Sequence, residues 1–241
     1  LLNEYTYRML KFTEDQIRKY KQSAIGGTGF LAFRDIEKFA KKYNLDLTYV
    51  LDLGCGSGRS TNYLSGFCKK VNGCDIDLNA IDNARKNSNK KNSLYFENER
   101  EQELYQYSKY TSIFSILMFF HMSSKEEIKT ELMKCYNSLE NFGNLVIISG
   151  TKNLYVRNYL TVKSIGEPPK YDGDLAKIKL LNIDCEIEDF YWSEICIKEI
   201  AEEVGFDHLE TYLPLGDKKD QINYIDEIKY PPYYYIALRK K

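Results

Sequence analysis

Short apolar runs alternate with segments whose apolar residues have helical spacing along most of the chain. Ser124 is expected to cap the fifth predicted helix, and Gly205 to end the sixth. Strands that alternate with helices predict an α/β fold built on a parallel sheet. The predicted strands are apolar runs at 48–53, 71–76, 93–98, 110–120, 141–150, 207–215 and 232–240. The predicted helices lie at 4–22, 30–43, 59–70, 78–89, 124–140 and 193–206.

The alternation stops after the fifth predicted strand. Residues 151–190 contain Pro168 and Pro169 and show no clean period, so they are expected to form an insertion. Ligands bind beyond the carboxyl ends of parallel strands, and this insertion is therefore expected to cover the site as a lid. We predict one domain over 1–241, with an N-terminal helical cap (1–45), a core (46–150 and 192–241) and the insertion (151–191).

Composition narrows the class of protein. Hydrophobic residues make up 43% of the 241 positions, which excludes intrinsic disorder, and a net charge of −1 provides no long-range attraction for nucleic acid. The six cysteines form no C-x-x-C pair and only two histidines exist, so a structural zinc site is not expected. This cysteine usage suggests a cytoplasmic setting. The longest apolar window, 113–122, is too short to cross a membrane.

Three glycines alternate with other residues directly after the first predicted strand, at Gly54, Gly56 and Gly58. An ordinary turn would need one glycine, so three predict that a ligand approaches the backbone. A nucleoside triphosphate loop would continue with Lys-Ser or Lys-Thr, and a dinucleotide loop would have glycine where Arg59 stands. Asp52, two residues before the first glycine, suits a ligand that carries an amine or a sulfonium.

The stretch VLDLGCGSG (50–58) resembles the first motif of class I S-adenosylmethionine-dependent methyltransferases. Four further stretches are similar to later motifs of that family, at 71–86, 113–127, 139–149 and 200–206. The resemblance covers about 26–150 and 192–241. It implies a Rossmann-like, mostly parallel seven-stranded sheet flanked by helices, S-adenosylmethionine as cofactor and S-adenosylhomocysteine as product.

The same resemblance implies a set of cofactor-binding residues. Asp75 would accept the ribose hydroxyls, Asp52 would lie near the methionine amino group, and Arg34 is either a ligand of the cofactor carboxylate or a surface arginine. Asp77 is expected to cap the helix that follows instead. The expected cofactor-binding residues are Gly29, Arg34, Asp52, Gly54, Cys55, Gly56, Gly58, Asp75, Ile76, Asn98, Glu99, Ser115 and Leu117.

Acceptor-binding residues are expected just past the fourth predicted strand and at the end of the insertion. His121 is either a general base, with an ordinary pKa of about 6.5, or a structural histidine. Tyr191 and Trp192 either wall the acceptor pocket or pack the lid, and Tyr20 is a further candidate. The Y-P-P-Y stretch at 230–233 is expected to be a stiff, extended entry into the last strand, not a catalytic motif.

These observations predict methyl transfer to an N or O atom of a small molecule. The alternatives are a methyltransferase acting on RNA or protein and a cofactor-binding regulatory subunit without activity; a Rossmann oxidoreductase ranks behind both. No metal, nucleic-acid or membrane partner is expected.

Overall fold

The computed structural model describes Lys19 and residues 25–88, 91–97 and 109–241. Its main sheet has seven strands in the order β3-β2-β1-β4-β5-β10-β9. β10 runs antiparallel to β5 and β9, and the other pairs are parallel. The predicted seven-stranded, mostly parallel sheet is thus confirmed. Its strands are β1 (Val50–Leu53), β2 (Val71–Asp75), β3 (Ser93–Glu97), β4 (Tyr110–Ile116), β5 (Leu139–Gly150), β9 (Phe206–Tyr212) and β10 (Tyr233–Lys240).

Helices cover both faces of the sheet because the central strands are apolar on both sides. α1 (Ile36–Lys42) and α2 (Arg59–Leu64) contribute to the apolar core on one face, and α4 (Lys125–Ser138) and α5 (Glu194–Val204) to the core on the other. α3 (Leu78–Asn87) packs on β2 and β3. Ser124 caps α4 and Gly205 ends α5, as the sequence predicted.

Three predicted elements differ from the structure. The segment predicted as one helix from residue 30 is divided into a 3₁₀ turn (Gly27–Ala32) and α1, with a turn between them. α2 ends at Leu64, just before Gly66, which is a poor helix former. β4 ends at Ile116 because Leu117 takes a left-handed backbone conformation, with φ +59°.

The insertion forms a second, three-stranded antiparallel sheet, which the sequence pattern had left unassigned. Its strands are β6 (Val162–Ile165), β7 (Leu175–Leu180) and β8 (Cys185–Phe190), in the order β6-β7-β8. Inward-facing Ala176 and Ile178 alternate with outward-facing Lys177 and Lys179, which is the period of a half-buried strand. A 3₁₀ turn (Lys152–Tyr155) connects β5 to this sheet. No helix in the described part of the chain could span a membrane.

Candidate functional site

The glycine loop between β1 and α2 is left-handed at all three glycines. Gly54, Gly56 and Gly58 have φ values of +75°, +52° and +87°, so each backbone conformation favours glycine by itself. This turn therefore favours glycine at three positions, not at the one expected from the sequence. Conformation alone explains three glycines, and their surroundings must show where a ligand can approach.

Those surroundings differ between the three positions. A Cβ atom on Gly54 would collide with the side chain of Met118, and one on Gly58 would lie 2.8 Å from the hydroxyl of Tyr95. A Cβ on Gly56 would meet no atom within 4 Å. Gly56 is therefore the point of the loop where another molecule can contact the backbone.

Asp75 ends β2 and holds the glycine loop. Its Oδ2 accepts the backbone N–H of Gly56 at 2.7 Å, and its Oδ1 accepts that of Asp77 at 2.9 Å. Burial raises the pKa of Asp75, while these backbone hydrogen bonds act in the opposite direction. The backbone N–H of Ile76 also hydrogen-bonds this carboxylate, so three backbone donors hold it. Asp77 caps α3 by accepting the N–H of Asn79, as predicted.

Asp52 lies fully buried in β1 beside the loop. Its Oδ2 accepts the hydroxyls of Ser60 and Thr61, both at 2.6 Å, so the carboxylate anchors the first turn of α2. Its Oδ1 has no hydrogen-bond partner among the residues that the structure describes. Burial raises the pKa of Asp52 to about 6. Sequence reasoning missed the contacts with Ser60 and Thr61, although hydroxyls in the first turn of a helix facing a strand-end acid could have suggested them.

The segment that leaves β4 passes next to the glycine loop. Ser115 Oγ is buried and, within the described part of the chain, has no hydrogen-bond partner, and Leu117 has the left-handed backbone already noted. Met118 covers Gly54. The following 3₁₀ turn (Phe119–His121) brings His121 to the same edge of the sheet. Burial lowers the pKa of His121 to about 4, well below the value expected from sequence, so the imidazole is neutral near pH 7.

Tyr191 and Trp192 are both buried where the insertion returns to the core. The indole N–H of Trp192 donates to the carbonyl oxygen of Met122 at 2.9 Å, so this residue is tied to the segment that follows His121. The ring of Tyr191 packs edge-on against that of Tyr155, with 5.9 Å between centroids.

Arg34 is engaged by two carboxylates, with 2.6 Å to both Asp35 and Asp220. Burial, which works against the charged form, is outweighed by these two carboxylates, and the pKa of Arg34 is raised. A role in binding the cofactor carboxylate stays a prediction, and these ion pairs weigh against it. Arg59, at the start of α2, lies 5.6 Å above the ring of Phe33.

The structure describes three of the remaining predicted site residues. A Cβ on Gly29 would meet open space, and the side chain of Ile76 is 38% exposed beside Asp75. The thiol of Cys55 is buried in a small apolar cluster, so only its backbone is available to a ligand. Tyr20, Asn98 and Glu99 lie outside the described residues.

A buried carboxylate in the insertion was not anticipated from the sequence. Asp189, near the end of β8, is 2% exposed, and the hydroxyl of Tyr155 donates to its Oδ2 over a long 3.4 Å. Burial raises the pKa of Asp189 to about 7. The alternation of Glu186, Ile187, Glu188 and Asp189 could have placed this acid on an inward-facing position.

Metal ligands and disulfides do not contribute to the site over the described ranges. No group of three or more His, Cys, Asp or Glu side chains there is arranged to hold a metal ion. All six cysteines are buried thiols.

Comparison with known families identifies the central part of the chain. Residues 50–143 match a family model described as a methyltransferase domain. This match runs from the glycine loop through Asp75 to the turn before the buried part of β5. No curated protein matches the sequence significantly.

Several solved structures resemble nearly the whole chain. The PH0226 protein from Pyrococcus horikoshii OT3 is 16% identical with a TM-score of 0.64, covering 96% of this chain and 100% of its own. A SAM-dependent methyltransferase from Aquifex aeolicus is 20% identical with a TM-score of 0.59 and the same coverage, 96% and 100%. Magnesium protoporphyrin IX methyltransferase (ChlM) from Synechocystis PCC 6803, with bound SAM, is 14% identical with a TM-score of 0.57, covering 94% and 90%. Likeness at these identities establishes a shared fold.

Proposed function

We propose that this chain, which has the class I S-adenosylmethionine-dependent methyltransferase fold and a methyltransferase domain at 50–143, methylates an N or O atom of a small molecule. The observation that carries the proposal is the pairing of Gly56, whose backbone faces open space, with the carboxylate of Asp75, which is hydrogen-bonded to it. A ligand that contacts the backbone of Gly56 also reaches the carboxylate of Asp75, which can accept hydrogen bonds from hydroxyl groups.

The residues around the loop suit each part of S-adenosylmethionine. We assign the ribose hydroxyls to the carboxylate of Asp75 and the adenine to the exposed side chain of Ile76. The Oδ1 of Asp52, which has no hydrogen-bond partner among the described residues, is a buried acceptor suited to the methionine amino group. Met118, a flexible side chain, would turn away from Gly54.

The bound cofactor supplies a methyl group on a cationic sulfur, from which an attacking N or O atom displaces S-adenosylhomocysteine. The chain's contribution is to hold that atom in line, and orientation of this kind contributes up to ~7–11 kcal/mol. His121 is neutral at pH 7, and its imidazole can accept a hydrogen bond from the small molecule that is to be methylated. Its lowered pKa makes it a weaker base than an ordinary histidine.

A small-molecule acceptor is favoured over RNA by the net charge of −1. It is also favoured by the buried aromatic side chains of the insertion, which include Tyr155, Tyr159 and Tyr191. The structural neighbour from Synechocystis, whose acceptor is a magnesium porphyrin, is a precedent for a small molecule on this fold.

The test is calorimetric titration of S-adenosylmethionine and S-adenosylhomocysteine into wild type, Asp75→Ala and Asp77→Ala. Removal of Asp75 should weaken binding more than tenfold, since charge-assisted hydrogen bonds contribute more than about 1.4 kcal/mol. Asp77→Ala removes a helix cap next to the same loop and should leave affinity within about threefold. Equal affinity of wild type and Asp75→Ala would refute the assignment.

Activity is tested by incubating the protein with methyl-labelled cofactor and a metabolite extract. Label in a small molecule supports the proposal, and label in RNA or protein contradicts it. Tight binding of the cofactor without any transfer would favour the regulatory-subunit alternative.

A further inference from the structure

Asp189 is an acid at an inward-facing position of the insertion's sheet. It pairs across β7 and β8 with Ala176, and the next inward pair is Ile178 with Ile187. All three of these neighbours pack in the apolar core, whereas the acids on the outward face, Glu186 and Glu188, are not buried. A carboxylate at this position costs folding free energy unless its charge is compensated.

Nothing in the described part of the chain compensates this charge. The hydroxyl of Tyr155, at 3.4 Å, makes the single side-chain hydrogen bond of Asp189 there, and no Lys, Arg or His forms an ion pair with it. Outward-facing acids of the same sheet form ion pairs instead: Glu188 pairs with Lys177 at 2.5 Å, and Asp184 pairs with Lys179 at 2.6 Å. The buried carboxylate therefore lacks the cation that its exposed neighbours have.

Tyr155, which donates to this carboxylate, is itself in contact with other tyrosines. Tyr155 follows the end of β5 and packs edge-on against Tyr191. Tyr233 and Tyr234 begin β10 opposite the last two residues of β5, and both lie close enough to perturb Tyr155. The 3₁₀ turn that ends at His121 packs against β8.

We infer that Asp189 and Tyr155 bind a basic nitrogen, so that the acceptor is an amine attached to an aromatic or apolar body. The inference rests on the proposed function and names the substrate class of that site. A buried carboxylate without a cationic partner among the described residues, hydrogen-bonded only by the hydroxyl of a tyrosine, is complementary to an ammonium group. A neutral alcohol or an acid offers the carboxylate no opposite charge.

Trp192, the one tryptophan of the chain, provides a direct readout of acceptor binding. It lies where the insertion rejoins the core, and its indole lies 3.2 Å from the position of a Cβ on Gly173, a residue of the insertion. Asp189 is 2% exposed, so an acceptor reaches it only if the insertion moves, and this movement changes the surroundings of the indole.

The experiment titrates the protein, saturated with S-adenosylhomocysteine, with three probes of one shape: 2-phenylethylamine, 2-phenylethanol and phenylacetate. Tryptophan fluorescence measures binding without turnover. We expect the amine to bind at least tenfold more tightly than the alcohol, and phenylacetate more weakly than both. Asp189→Asn should lose this preference, whereas Glu188→Gln, which changes the adjacent outward-facing acid, should keep it.

A second variant and a cofactor control keep the outcomes separable. Tyr155→Phe removes only the hydroxyl and should weaken amine binding about threefold or more in a folded protein. No response to the amine, an alcohol that binds equally well, or an amine preference that persists in Asp189→Asn would overturn the inference. Calorimetry with S-adenosylhomocysteine is run on every variant; if wild type fails to bind it, the proposed function fails instead.

Discussion

At the scale of single residues, the glycines of the loop have one backbone requirement and different neighbours. An alanine at either Gly56 or Gly58 would be left-handed, which costs roughly 1–2 kcal/mol. At Gly58 its Cβ would also press on the hydroxyl of Tyr95 at 2.8 Å, whereas at Gly56 it would enter open space. The same substitution should therefore have different consequences at the two positions.

We expect Gly58→Ala to lose more unfolding free energy than Gly56→Ala, because only the former adds a steric clash. We expect Gly56→Ala to weaken cofactor binding at least tenfold, since its methyl group occupies the space where a ligand would contact the backbone. Urea unfolding and calorimetric titration of both variants check this. Equal stability losses, or unchanged affinity in Gly56→Ala, would contradict the assignment of the open face.

The charge of Asp189 predicts an unusual pH dependence of stability. Its pKa is raised to about 7 in the folded protein, so the folded state favours the protonated acid. The protonated acid favours the folded state, so its stabilising contribution is fully present below about pH 4 and is lost as the pH rises through about 7. Asp189→Asn cannot ionise, and its stability relative to wild type should increase between pH 5 and pH 8.

Urea unfolding of wild type and Asp189→Asn at both pH values measures this difference. His121, with a pKa lowered to about 4, contributes the opposite trend below about pH 6.5, but equally in both proteins. Glu188→Gln changes an exposed acid on the other face of β8 and serves as the control. Parallel pH profiles for wild type and Asp189→Asn would show that the buried carboxylate carries no such penalty.

At the scale of elements, a buried carboxylate joins three segments that are distant in sequence. Glu227 is fully buried, and its Oε1 accepts the hydroxyl of Thr28 at 2.6 Å and the N–H of Leu160 at 2.8 Å. Its Oε2 accepts the N–H of Ile225 at 2.9 Å. The N-terminal 3₁₀ turn, the start of the insertion and the loop before β10 thus share one set of acceptors.

Glu227→Ala should lower the free energy of unfolding by about 3 kcal/mol or more. It leaves three donors without an acceptor, and each such buried group costs about 1–3 kcal/mol. Glu227→Gln keeps one acceptor oxygen and should lose less, whereas Glu140→Ala, at an exposed position in β5, should change stability by no more than about 0.5 kcal/mol. Urea unfolding measures all three, and a loss in Glu227→Ala no larger than in the control would contradict this role.

The elements that sequence predicted well are those whose burial depends on their own composition. β1 and β4 are buried at every position and consist mostly of apolar residues, so they were predictable. β7 and β8 were missed because their outward faces carry lysines and acids, and their inward faces are buried only by contact with the rest of the fold. The site divides in the same way: Asp75 follows from its place at a strand end, whereas the contact of Asp189 with Tyr155 joins residues 34 positions apart.

At the scale of the whole molecule, the insertion and the main sheet share one apolar core. Tyr159 and Ile178 of the insertion lie in the same buried cluster as Val146 and Ile148 of β5. The insertion therefore depends on the sheet for burial of its inner face. Access of an acceptor to Asp189 is then a limited movement of a packed layer, not the opening of an independently folded unit.

This shared core predicts that the insertion and the main sheet unfold together. Trp192 is 3% exposed at their junction and reports on the insertion by fluorescence, while far-ultraviolet circular dichroism follows the helices of the core. We expect the two signals to give the same urea midpoint and slope. Leu154→Ala, which removes a side chain 1% exposed in the shared core, should shift both midpoints to the same lower urea concentration. The corresponding loss of unfolding free energy is about 2–5 kcal/mol. A fluorescence transition at lower urea than the dichroism transition would show that the insertion opens by itself, and the single-domain organisation predicted from the sequence would then be wrong.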